Sequence, residues 1–171
     1  GGIITSIQEP LTTANDLKTE SLKIKNSAPD VVFLSNLNQM GLASNQLRQV
    51  GYNGPILAIL IDDSRIEASK GALEGAIFAR YADPTAKFVE KFKKKYSTKP
   101  GVTADTAYDT LKIYAKAIKK SPTLSTEDVK KTLLTTKLKG ASGDIKFDDK
   151  RAVQKTPVLH VVKGNNTVRL K

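Results

Sequence analysis

Hydrophobic spacing changes character repeatedly between residues 29 and 61. Val31, Val32, Phe33 and Leu34 make an unbroken apolar run, the pattern of a strand buried on both faces. Met40, Ala43, Leu47 and Val50 then recur at helical spacing, which predicts a helix with one apolar face. Gly51 ends that helix, because glycine takes the left-handed conformation without a Cβ penalty. Tyr52, Asn53, Gly54 and Pro55 form a turn, and residues 55–61 (PILAILI) return to a continuous apolar run suited to mid-sheet. Together these predict a parallel βαβ unit with a right-handed crossover.

The alternation extends on either side. Residues 2–8 read as a strand, residues 16–26 as a helix capped by Asn15 or Asp16, residues 64–70 as a polar helix and residues 75–80 as a short strand. From Asp83 the pattern turns helical. Asp83 suits a cap and Pro84 a first helical position, while Phe88, Val89, Phe92 and Tyr96 share a face in a helix that stops before Pro100. Residues 104–120 give the strongest helical signal, with Ala107, Leu111, Tyr114, Ala115 and Ile118 on one side and Tyr108 read as core. Ser125, with Asp128 three residues on, starts another helix. Residues 143–147, 157–162 and 167–170 read as strands, the last two joined at Gly164-Asn165-Asn166. The prediction is an α/β chain with a doubly wound, mainly parallel sheet, flanking helices and a C-terminal β-hairpin. Its segments are residues 1–82 (α/β), 83–152 (basic and helical) and 153–171 (strands packing back).

With 171 residues, 39% hydrophobic and 26% charged, the chain has the apolar content for a sizeable core, and disorder is excluded. No run approaches the ~20 apolar residues of a membrane span. The opening GGIITSIQEP lacks the basic start and apolar centre of a signal peptide, so export would need a signal outside this sequence. Without cysteine there is no disulfide, thiolate nucleophile or Cys-bound metal.

Charge is uneven. Residues 1–82 hold 7 Lys/Arg against 8 Asp/Glu, whereas residues 83–171 hold 21 against 9. Lys87, Lys91, Lys94 and Lys95 lie opposite Phe88 and Phe92, and Lys112, Lys116, Lys119 and Lys120 follow on the next helix. Such a surface suits an anionic partner. It is lysine without interleaved aromatics or arginine, so a solvated face is the simpler account and nucleic acid is not the expected partner.

Catalytic signals are sparse. His160 is the sole histidine and alternates with apolar residues, which fits a strand residue better than a general base. No cofactor or metal is expected: a lone histidine has no ligand partner at metal spacing. No phosphate-binding loop, GxGxxG or nucleophile elbow is present, and Gly71 and Gly75 form no cradle. Asp144, Asp148 and Asp149 lack the order of a calcium loop and fit a turn.

The order of GGIITSIQEP, APDVVFLS, LASNQLRQVGYNGPILA, ALEGAIFA, YSTKPGVTADTAYDTL, GASGDIKFDD and PVLHVVKGN resembles the C-terminal half of type I periplasmic binding proteins of the leucine/isoleucine/valine-binding branch. The resemblance covers nearly the whole chain. It implies a lobe of flavodoxin-like topology and a non-enzymatic, extracytoplasmic protein, periplasmic or membrane-associated. Such a protein binds a small amino-acid-like solute between two lobes and delivers it to the membrane permease of an ABC importer. It also implies either that a second chain or a swapped copy completes the sheet, or that the chain is rearranged into a smaller doubly wound sheet.

The resemblance places ligand contacts on the loops after two strands. The first falls at Ser35, Asn36 and Leu37, where leucine occupies the position that is aromatic in the family; the second falls at residues 58–61, with acids only at Asp62 and Asp63. Thr103 matches a position on the other side of the cleft, and Tyr81 is a hinge candidate. From the residues alone, Ser35 and Asn36 also fit a simple strand-to-helix turn, and Asp62 and Asp63 fit helix caps better than ligand contacts. Two readings stand. One is a solute-binding component of an ABC importer for branched-chain amino acids, amides or small carboxylates. The other is an interaction or engineered module of this fold that binds anionic partners through its lysine-rich helices.

Overall fold

The computed structural model describes residues 1–170. In chain order the elements are α1 Lys18–Asn26, β1 Val32–Leu34, a 3-10 turn at Leu37–Gln39, α2 Met40–Gln49, β2 Ile56–Ile59, α3 Asp63–Ser69 and β3 Ile77–Arg80. They continue with α4 Ala86–Tyr96, α5 Ala104–Lys120, α6 Thr126–Thr135, β4 Leu138–Gly140, β5 Gly143–Ile145, β6 Val158–Lys163 and β7 Asn166–Arg169. The chain divides into two compact units, Gly1–Arg80 with Val158–Lys171, and Tyr81–Pro157.

The first unit is α/β, with a mainly parallel sheet flanked by helices. Its strand order is β1-β2-β3-β6-β7. β1 to β3 are parallel, with Phe33 opposite Leu57 and Leu57 opposite Ile77, and β6 and β7 add an antiparallel hairpin. Val32, Leu34, Ile56, Ala58, Phe78 and Val162 on the strands pack against Leu17, Met40, Ala43, Leu47 and Ile66, forming the core. The expected βαβ stretch is therefore present, and Gly51 sits at φ 87° where α2 ends. Gly41 lets α2 and α3 approach closely: a Cβ there would stand 2.7 Å from the Ala68 Cβ.

Two expectations for this unit need correction. Residues 2–8 form no strand, and Ile3, Ile4 and Ile7 are 92%, 76% and 66% exposed; an alternating pattern makes a strand only where a ladder partner exists. α1 starts at Lys18 instead of residue 16, and Asp16 accepts from the Lys18 N–H at 3.0 Å without being its cap. His160 is a strand residue as expected, buried on β6 with its ring 5.6 Å from that of Phe78.

In the second unit α4 is capped at Thr85, in place of Asp83 and Pro84. α5 spans residues 104–120 as expected, yet its rotation is reversed. Asp105, Asp109, Ile113 and Ala117 are buried, while Leu111, Tyr114 and Tyr108 are exposed. One carboxylate explains that phase. Asp109 is fully buried; its Oδ1 accepts from the Ala141 N–H at 2.7 Å, and its Oδ2 from the N–H and Oγ of Ser142, each at 2.7 Å. These residues form the turn between β4 and β5, and Gly140 beside them leaves no room for a Cβ, which would meet Asp109 Oδ2 at 2.2 Å.

Candidate functional site

β1 and β2 both end in short loops, and open parallel sheets present ligand sites at such carboxyl ends. After β1 come Ser35 and Asn36, then the 3-10 turn beginning at Leu37. The Asn36 Oδ1 is buried and takes no hydrogen bond. After β2, Leu60 adopts φ 38°, a left-handed conformation that costs a branched residue of order 1–3 kcal/mol and recurs at functional loops. Ile61 is buried, and Asp62 then caps α3, its Oδ1 accepting from the Arg65 N–H at 3.0 Å and from the Ser64 Oγ at 2.8 Å.

Arg65 ties the two loops together. Its guanidinium pairs with Asp62 Oδ2, and its Nε donates to the Leu37 carbonyl at 2.8 Å. Burial alone would raise the Asp62 carboxyl. The hydrogen bonds from Ser64 and Arg65 and the guanidinium charge outweigh it, holding the carboxyl below its usual range. Asp63 is exposed in the first turn of α3. Beside the loops, Leu37, Leu42, Ser64, Arg65, Ala68 and Lys70 help line a groove of about 460 Å³ between α2 and α3.

The structure thus brings Leu37 and Asp62 to one constellation through Arg65, with Ser35 and Asn36 in the first loop and Asp63 opening α3 after the second. Thr103 and Tyr81 belong to the second unit. Thr103 is the exposed residue before α5, at φ 71°, and its side chain makes no cap hydrogen bond. Tyr81 is the first residue of that unit, 68% exposed, beside a cavity of about 530 Å³ whose walls include Ile113, Leu133, Phe147 and Lys155. Sequence reasoning missed Arg65. Its signal was a basic residue three positions after an aspartate cap, which places a guanidinium over that carboxylate on a first helical turn.

Among the described residues, no group of three or more His, Cys, Asp or Glu side chains could hold a metal ion, and no helix is long and apolar enough to cross a membrane. Lys155 donates to the Ser142 carbonyl at 2.9 Å and to its hydroxyl at 2.5 Å, and that hydroxyl donates in turn to Asp109. This network fastens the β4–β5 turn to α5.

Residues 1–166 match the family model described as periplasmic binding protein. The fold is similar to that of a leucine-binding protein from Thermotoga maritima, at 27% identity and a TM-score of 0.85, over 93% of this chain and 49% of that one. It is also similar to a branched-chain amino acid transporter substrate-binding protein from Streptococcus pneumoniae in complex with isoleucine, at 20% identity and a TM-score of 0.77, over 92% of this chain and 50% of that one. A third likeness is an ABC transporter solute-binding protein from R. palustris in complex with benzoate, at 17% identity and a TM-score of 0.77, over 92% of this chain and 47% of that one. The chain spans about half the length of the solved structures it matches. No curated protein sequence matches it.

Proposed function

Because the chain belongs to the periplasmic binding protein family, we propose that it serves as part of the extracytoplasmic solute-binding component of an ABC importer, taking up a small organic molecule and presenting it to a membrane permease. The observation that carries this reading is the pair of strand-end loops joined through Arg65, with Leu37 and Asp62 fixed on either side of one guanidinium. Binding without chemical conversion fits the described residues. The single histidine is buried against Phe78, and the buried Ser142 and Asp109 are occupied in holding a turn. Ser35, Asn36 and Leu37 are the proposed contacts from the first loop, and Asp62, Asp63 and Arg65 shape the second. Further polypeptide, a second chain or an exchanged copy, completes the fold that the matched structures build with twice the length.

A thermal-shift panel of amino acids, amides and short carboxylates tests this reading. A saturable rise in Tm with one class, reduced by Asn36→Ala, supports it. No rise with any solute, together with salt-sensitive binding to a polyanion, favours instead an interaction module working through the basic second unit, in which 18 Lys/Arg stand against 9 Asp/Glu over residues 81–157.

A further inference from the structure

The Asp62–Arg65 pair narrows the class of solute. An amino acid carries an ammonium beside its carboxylate, and a desolvated ammonium is held best against an acid whose charge is not already neutralised. The two loops contain two acids, Asp62 and Asp63. Asp62 has its charge offset by the Arg65 guanidinium on one oxygen, and its other oxygen accepts from Ser64 and the Arg65 N–H, so three of its roughly four acceptor sites are taken. Asp63 is exposed, and a solvent-exposed ion pair contributes little. Asn36 offers a neutral acceptor, which holds no cation by charge.

The groove beside these loops has the opposite character. Arg65 and Lys70 line it without any carboxylate, and Leu37, Leu42 and Ala68 supply apolar wall. Two of the five N–H groups of Arg65 are used, by the Leu37 carbonyl and Asp62, and a planar guanidinium is well matched to a second carboxylate.

We infer that Arg65 sets the solute class of this site: it cancels the one acid able to receive an ammonium, so the site takes a small carboxylate with an apolar body and no α-ammonium group. The inference rests on the solute-binding reading and on these same loops. Asp62 is then a positioning residue that orients Arg65 and makes no contact with solute.

Isothermal titration with leucine and with 4-methylpentanoate, which share a skeleton and differ by the ammonium, tests it. The expected result is at least tenfold tighter binding of 4-methylpentanoate, and reversal of that preference in Arg65→Gln, where Asp62 is released. Asp62→Asn is the independent arm: it frees the guanidinium, so 4-methylpentanoate binds more tightly and leucine no better. Circular dichroism confirms that each variant is folded, and Asp62→Asn decides the matter if Arg65→Gln is not. Leucine as the tighter ligand of the unaltered chain overturns the inference and leaves solute binding standing, as does an unchanged preference in both variants. Binding of neither solute and of no other short carboxylate, with binding of amides or amino acids from the panel, overturns the carboxylate class alone. Binding of no solute at all overturns the functional reading and this inference with it.

Discussion

In the first unit α2 turns Met40, Ala43 and Leu47 onto the sheet, whereas in the second α5 turns Asp105 and Asp109 inward and leaves Leu111 73% exposed. Both helices are amphipathic, and both have an apolar stripe that sequence alone would bury. The difference lies in what each meets. α2 faces a sheet whose backbone is already paired, so only apolar area remains to be covered. α5 faces the turn at Gly140, Ala141 and Ser142, whose N–H and hydroxyl groups need acceptors. Leaving such groups unpaired costs about 1–3 kcal/mol each, comparable with the whole gain from burying one leucine side chain, about 1.5–3 kcal/mol. The two N–H groups of Ala141 and Ser142 and the Ser142 hydroxyl together exceed the gain from burying one such leucine.

The largest effect expected from testing this contrast is in the first unit. Phe78 is 2% exposed at the centre of its core, and Phe78→Ala is expected to cost about 4 kcal/mol in denaturant-measured stability. Next, Asp109→Ala removes the acceptor for three buried donors and is expected to cost about 3 kcal/mol, with amide exchange accelerating at Ala141 and Ser142. If exchange at those two residues is unchanged, the turn does not depend on the carboxylate. Gly41→Ala forces α2 away from Ala68 and is expected to cost about 1–3 kcal/mol. Leu111→Ser is expected to change stability by no more than ~0.5 kcal/mol; a loss like that of Phe78→Ala would show that its face is covered after all.

The smallest expected effect is electrostatic. Asp62 has a depressed folded pKa, so its contribution is fully present above the unfolded value and is lost as pH falls through the folded one. As pH falls below the ordinary aspartate value of 3.8, stability is therefore expected to fall less steeply in Asp62→Asn than in the unaltered chain.

Much of the fold was legible because period and turn chemistry are local. The α5 bounds, the Ser125 cap with its bond from the Asp128 N–H, and the Gly51 stop all follow from residues within one or two turns. What escaped was non-local. The periodicity of α5 identifies an apolar face but not its direction, which Asp109 decides through residues more than thirty positions away. Residues 2–8 have the composition of a strand, but a ladder belongs to two segments. At the candidate site, Ser35, Asn36, Leu37, Asp62 and Asp63 could be named from strand ends. That Asp62 would be engaged by Arg65 could not, since the geometry depends on the Leu37 carbonyl lying within 2.8 Å.

β1 is the edge strand of its sheet, and Phe33 on it is 59% exposed. Such an edge is a template for another copy of the same strand, so the chain's colloidal behaviour is set by a contest between that template and its net charge of +11. Salt weakens only one side of the contest, the repulsion. Solutions that are stable at 20 mM salt should therefore scatter more light as ionic strength rises, and Phe33→Lys should delay the onset.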